Sequence, residues 1–156
     1  MIKVELPDGR KFELKYLVSD FTGTLSIDGV LVEGIKDKLN ELSKHLEIYI
    51  LTADTFGKAR EALKGVNANV MVLSPGNEAK QKLEFLKKLG PENCVAFGNG
   101  ANDELMLKEA AIGVAVMLEE GCYLKTLLSA DVVVKGAVEA VDLLLNPKRL
   151  IAVLRS

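Results

Sequence analysis

The chain has 156 residues, 49% of them hydrophobic and 27% charged, and its 20 basic and 22 acidic side chains leave a formal net charge of −2. That length suits one domain with its own core, and the mixed charge, with no Trp and 5% aromatic residues, excludes a basic stacking surface for nucleic acid. Two distant cysteines, Cys94 and Cys122, and a single histidine, His45, exclude a disulfide framework and a thiolate zinc site and read as core thiols of a reducing compartment.

Ile2, Val4 and Leu6 alternate with polar residues, Pro7-Asp8-Gly9 punctuates, and Phe12 and Leu14 resume the alternation. This predicts a hairpin over residues 1–15, expected to cover one edge of a sheet. Continuous apolar runs follow at Tyr16 to Ser19, Ile48 to Leu51, Val70 to Leu73, Val95 to Phe97, Ile112 to Val116 and Val132 to Val134. Strands apolar on both faces belong in a parallel sheet covered by helices. Helical faces lie between them: Ile35, Leu39, Leu42 and Leu46; Leu83, Leu86 and Leu89 before Gly90-Pro91; Val138, Val141, Leu144 and Leu145 before Asn146-Pro147. The expectation is an α/β fold: a single doubly wound, three-layer domain over residues 1–156 with a mainly parallel sheet and no linker. Right-handed crossovers place Asp20, Thr52 and Gly98 on a common edge. The amino terminus has no apolar signal region and no apolar run is long enough to span a membrane, so a cytoplasmic protein is expected.

The strand ends carry the chemistry. Val18 to Ser26 reads V-S-D-F-T-G-T-L-S, so Asp20 stands at the carboxyl end of the first parallel strand, where open α/β sheets place ligands. A carboxylate there can attack phosphorus, and the amides of residues 21 to 24, with Gly23 permitting the turn, can form a nest for phosphate oxygens. The alternative is that Asp20 caps a turn and Thr22 bonds locally. The second parallel strand ends in I-L-T-A-D, where the Thr52 hydroxyl can bond phosphate or cap a helix. After Ser74-Pro75-Gly76 a helix carries Lys80 in its first turn, against the helix dipole; it is a surface lysine, or a phosphate-neutralising one if that turn faces the crevice. The fourth strand ends in F-G-N-G-A-N-D-E-L. Its glycine pair suggests a dinucleotide fingerprint, but the third glycine position is Asp103 and the loop follows the fourth parallel strand, which argues against one. Asn102 or Asp103 caps the following helix, or a carboxylate here shares a magnesium ion with Asp20.

Taken in order, Asp20-Phe-Thr-Gly-Thr, Thr52, Lys80 and Gly98-Asn-Gly-Ala-Asn-Asp103 resemble the four-motif series of the haloacid dehalogenase superfamily, and more narrowly the phosphorylation domain of P-type ATPases without its membrane parts. The resemblance implies a Mg²⁺-dependent phosphohydrolase or phosphotransferase. Asp20 is its nucleophile; Asp20, the Thr22 carbonyl, Asn99 and Asp103 hold the metal; Thr22, Gly23, Thr52, Ala53 and Lys80 hold the phosphoryl group; Asp54 and Asn102 support them. Two positions depart from the family. Thr22 stands where phosphatases carry a second, acid–base aspartate, which implies slow turnover. Asn99 stands where an aspartate usually binds magnesium, which shifts weight onto Asp103. The segment L-S-I-D-G-V-L-V, Leu25 to Val32, resembles the family's flap hairpin, and there is no room for a cap domain. An uncapped site takes a bulky phosphoester or borrows a second copy of the chain as cover, so a small phosphorylated substrate and a homo-oligomer are both compatible. A catalytically weak regulatory or phosphate-binding module is the alternative. A receiver domain is disfavoured, because its phosphoacceptor lies two strands after an acidic pair. His45 is expected at the surface, and Met106 and Leu107 in the core.

Overall fold

The computed structural model describes residues 1–53 and 57–156. In chain order the elements are β1 (Ile2–Glu5), β2 (Lys11–Leu14), β3 (Tyr16–Asp20), β4 (Ser26–Ile27), β5 (Val30–Leu31), α1 (Ile35–Leu42), β6 (Glu47–Thr52), α2 (Lys58–Ala62) and β7 (Asn69–Val72). Then come α3 (Glu78–Leu89), β8 (Cys94–Gly98), a 3-10 turn at Ala101–Asp103, α4 (Glu104–Glu109), β9 (Ile112–Val116), α5 (Leu124–Ser129), β10 (Val132–Val134), α6 (Ala137–Leu145) and α7 (Pro147–Leu154). All six apolar runs are strands, and they form one parallel sheet in the order β10-β9-β8-β3-β6-β7.

Alternation along each strand divides the interior in two. Leu17, Ile48, Ile50, Val95, Phe97, Ile112 and Val114 face a core shared with α1 and α6 through Ile35, Leu39, Leu42, Val141 and Leu144. Val18, Leu51, Cys94, Ala96 and Ala115 face the opposite way, against Leu86 of α3 and Met106 and Leu107 of α4. Both layers are apolar because both faces of the sheet are covered. Cys94 is buried, whereas Cys122 is half-buried, and His45 is exposed.

The strand order reverses beside β3. From β3 the chain proceeds to β6 and β7 on one side, then crosses back to β8, β9 and β10 on the other. The gap between the carboxyl ends of β3 and β8 is therefore the topological switch point, where no crossover passes and a ligand can enter.

The hairpin departs from expectation. It pairs β1 with β2 in a two-stranded sheet of its own instead of lining an edge. Its hydrogen bonds go to the loops below the central strands: the amide of Lys15 donates to Asn93 (2.9 Å), Asn93 Nδ2 donates to Glu13 (2.8 Å), and the amino terminus donates to His45. Ile2, Val4, Leu6 and Leu14 join the first core, so the apolar face of the ribbon closes the end of the molecule opposite the switch point. α7 likewise exceeds the sequence reading. Pro147 ends α6 and also opens a new helix, because a missing N–H costs nothing at a first helical position.

Candidate active site

β3 places Asp20 between β6 and β8, at the mouth of a crevice of about 580 Å³. The turn after it is closed by its own backbone: the amides of Thr24, Leu25 and Ser26 all donate to the Phe21 carbonyl, and that of Gly23 donates to Ser26 (2.8 Å). The amides of Gly23 and Thr24 are thus engaged within the turn, which corrects the expectation that Gly23 offers its N–H to phosphate. The glycine is needed for another reason. Its φ is +80°, and a Cβ there would lie 2.5 Å from Glu120 Oε2 and 2.6 Å from Asn99 Nδ2.

The lysine of α3 that meets Asp20 is Lys82, not the expected Lys80. Lys80 is exposed on the outer face of α3 and pairs loosely with Glu84 at 3.9 Å. Two residues turn a helix by about 200°, so Lys80 and Lys82 point in opposite directions. Lys82 shares the inward face with Leu86, one turn on, and is 1% exposed. Its ammonium donates to Asp20 Oδ1 (2.8 Å), Asn102 Oδ1 (2.8 Å) and Asp103 Oδ1 (2.7 Å), which uses all three hydrogens. Counting back four residues from Leu86 and seven from Leu89 reaches position 82, so the helical phase already carried the signal.

Asp103 is also reassigned. It is fully buried, with one oxygen on Lys82 and the other accepting the amides of Asn99 and Gly100, both at 3.0 Å. Gly98 makes this possible, since a Cβ there would lie 2.5 Å from that of Asp103. With both oxygens engaged and no face on the crevice, Asp103 anchors the loop and the lysine instead of ligating a metal. Thr22, Thr52, Ala53, Asn99 and Asn102 line the crevice with Asp20 and Lys82. Asp54 lies outside the described residues.

Sequence reasoning passed over Thr24. Its hydroxyl lies 3.1 Å from both Asp20 Oδ2 and Asn99 Oδ1. One hydroxyl hydrogen is shared between two acceptors, so whenever Asp20 is ionised the pair has a single donor between them. An oxygen-lined point with an unmatched lone pair is chemically suited to a hard divalent cation, and the neighbouring Thr22 carbonyl belongs to the same turn.

Electrostatics follow from this burial. Desolvation and the nearby Asp103 charge raise the pKa of Asp20 from 3.8 to about 7, although Lys82 opposes the shift. Burial alone pulls Lys82 down, but the two carboxylates outweigh it and hold the ammonium above its ordinary pKa.

The sequence pattern of the haloacid dehalogenase-like hydrolases matches residues 25–118. The chain belongs to this family. An uncharacterised protein of Methanocaldococcus jannaschii is 49% identical to the haloacid dehalogenase-like chain over 84 residues, covering 51% of it and 90% of the archaeal protein. Among solved structures, 3-deoxy-D-manno-octulosonate 8-phosphate phosphatase from Moraxella catarrhalis, crystallised with magnesium, phosphate and KDO, superposes with a TM-score of 0.71 at 18% identity. That likeness covers 89% of this chain and 90% of the other. The cobalt-bound phosphatase of the same name from Haemophilus influenzae gives 0.70 at 13% identity, over 90% and 92% of the two chains. At these identities the structural likeness speaks for the haloacid dehalogenase-like fold.

Among the described residues, no helix is long and apolar enough to cross a membrane. The chain between β3 and α1 forms only the β4–β5 flap, whose turn at Asp28 and Gly29 has positive φ at both residues. Both turn residues reach the crevice. Between β7 and α3 run only residues 73–77, so neither connection carries an inserted domain.

Proposed function

We propose that this chain is a magnesium-dependent phosphohydrolase acting through an aspartyl phosphate on Asp20. One observation carries the reading: the carboxylate at the switch point holds a buried lysine on one oxygen and, on the other, shares a single threonine hydroxyl with the side-chain oxygen of Asn99. A carboxylate oxygen of Asp20 attacks phosphorus, forming the acyl phosphate as the bond to the leaving oxygen breaks. Lys82, held by Asp103 and Asn102, offsets charge on the transferring group without having to reorganise. Water then attacks the same phosphorus, releases phosphate and regenerates the carboxylate.

Asp20, Asn99 and the Thr22 carbonyl are the residues that would hold Mg²⁺, and the ion when bound would neutralise phosphoryl oxygens and favour ionised Asp20. Thr52, at the buried carboxyl end of β6, and Ala53 border the position of the phosphoryl group. Thr22 has no carboxyl to protonate a leaving group, so esters of acidic alcohols and phenols should react much faster than alkyl phosphates. The same feature resembles P-type ATPase phosphorylation domains, in which the intermediate persists, and supports slow turnover. The open crevice suits a small phosphorylated compound, such as the sugar phosphate named for the Moraxella enzyme, or a bulkier phosphoester; a homo-oligomer and a cytoplasmic setting are compatible with it.

Incubation with p-nitrophenyl phosphate and Mg²⁺ should release nitrophenol, and Asp20→Asn should abolish the release. Turnover that survives this substitution would reject the nucleophile. Thr22 and Asn99 favour a second reading, a phosphate-binding regulatory module. It requires that no phosphate ester turns over while orthophosphate or beryllofluoride still binds.

A further inference from the structure

We infer that Glu120 is the second carboxylate of the divalent-cation site, supplying the negative charge that Asn99 lacks; the assignment rests on the magnesium-dependent reading above. Glu120 lies in the loop after β9, on the strand next to β8, and borders the same crevice as Asp20 and Asn99. The loop is built to hold it there. Gly121 donates its amide to Leu118 (2.9 Å) and closes a tight turn with φ +77°, leaving Glu120 at the third position of that turn. The turn is tied to Asn99 twice: Asn99 Nδ2 donates to the Gly121 carbonyl (3.2 Å), and the Tyr123 amide donates to the Asn99 carbonyl (2.8 Å).

The close approach is measured at Gly23. Glu120 Oε2 and both side-chain heteroatoms of Asn99 all lie within 3.0 Å of the single position that a Cβ on Gly23 would take. Any other residue at 23 would displace the carboxylate from the amide. Among the described residues, the Glu120 carboxylate forms no hydrogen bond or ion pair, so its acceptor capacity stays available. Asn99 is 5% exposed, and its Oδ1 competes with Asp20 Oδ2 for the one hydrogen of Thr24. A cation answers that competition.

Charge counting favours a further acid. Asp20 and Asp103 bring two negative charges and Lys82 removes one, so a divalent ion would leave the centre positive. Glu120 restores neutrality, and magnesium takes such hard oxygen ligands directly or through a retained water.

The test is Mg²⁺ binding to the full-length chain, read by calorimetry and by the Mg²⁺-induced rise in melting temperature. It compares the wild type, Glu120→Gln, Glu119→Gln as the neighbouring exposed control, and the double variant Asn99→Asp with Glu120→Gln. Circular dichroism checks that each variant folds. The assignment expects Glu120→Gln to weaken binding roughly tenfold or more, Glu119→Gln to leave it unchanged, and the double variant to recover it. Equal affinity of the wild type and Glu120→Gln overturns the assignment alone. A loss without recovery in the double variant also overturns it, by showing that Glu120 shapes the loop without supplying charge. A wild type that binds no Mg²⁺ at millimolar concentration overturns the proposed function together with this assignment.

Discussion

Replacing Lys82 by Met, with Lys80→Ala as its partner experiment, separates the two lysines of α3. The Lys82 ammonium lies 2.7–2.8 Å from Asp20, Asn102 and Asp103, and its side chain is 2% exposed. Removing the cation leaves two buried carboxylates facing each other and an orphaned amide oxygen. Breaking one side of a buried ion pair costs about 3–5 kcal/mol. For a domain of this size each kcal/mol lowers the melting temperature by about 2–4 °C, so a fall of roughly 6–20 °C is expected at pH 8. At pH 5 the fall should shrink, because Asp20 titrates at about 7 and is then protonated, leaving one anion to be compensated. Lys80 and Glu84 are 72% and 59% exposed and 3.9 Å apart, so Lys80→Ala should move stability by less than about 0.5 kcal/mol. Turnover of p-nitrophenyl phosphate should fall about 10²–10³-fold or further in Lys82→Met and stay level in Lys80→Ala. Melting curves at the two pH values and initial rates decide the matter. Equal melting temperatures for the two variants, or loss of activity in Lys80→Ala alone, would refute the assignment of Lys82.

Gly23→Ala places a methyl against Glu120 and Asn99 at φ +80°. The backbone conformation alone costs about 1–2 kcal/mol, so a lower melting point and weaker Mg²⁺ binding are expected, and an unchanged melting curve would contradict the packing described. Metal-free protein should lose stability as pH rises. The folded-state pKa of Asp20 is raised from 3.8 to about 7, so between these values the folded chain keeps a proton that the unfolded chain has released. Its stabilising contribution is full below about pH 4 and is lost as pH passes through 7, on the order of 4 kcal/mol at about 1.4 kcal/mol per pH unit. Urea midpoints across pH 4–8 without metal check this, and a flat profile refutes it. Asp20→Asn should flatten that profile and raise metal-free stability at pH 8, while abolishing activity. Thr22→Asp should raise turnover of an alkyl phosphate about 10-fold to 10²-fold by supplying the missing acid; an undiminished preference for aryl esters would show that another group already serves.

Strand positions and the identity of the aspartate at the switch point were legible in the linear chain because their causes are local. A strand covered on both faces must be apolar at consecutive positions, as Leu17-Val18 and Ile50-Leu51 are, and ligands of an open α/β sheet gather where such runs end in a polar residue. Asp20 and Thr52 are singled out by that rule, whereas Asn99 is singled out by the resemblance of its loop to a family motif. Where the hairpin rests was not local: Ile2, Val4 and Leu14 declare an apolar face but not the surface that receives it, and long-range packing chose the lower end of the central strands over an edge. The lysine turned on helical phase. Lys80 and Lys82 are the same residue type two positions apart; the spacing from Leu86 and Leu89 marks Lys82 as the inward one, and Leu86 in the core with Val18 and Leu51 fixes it there. Thr24, Asp103 and Glu120 acquire their roles through contacts between β3, β8 and the loop after β9, up to a hundred residues apart in the chain. Local chemistry limited which groups are candidates, and three-dimensional packing decided which of them meet, because side-chain direction and desolvation are properties of neighbours brought together by the fold.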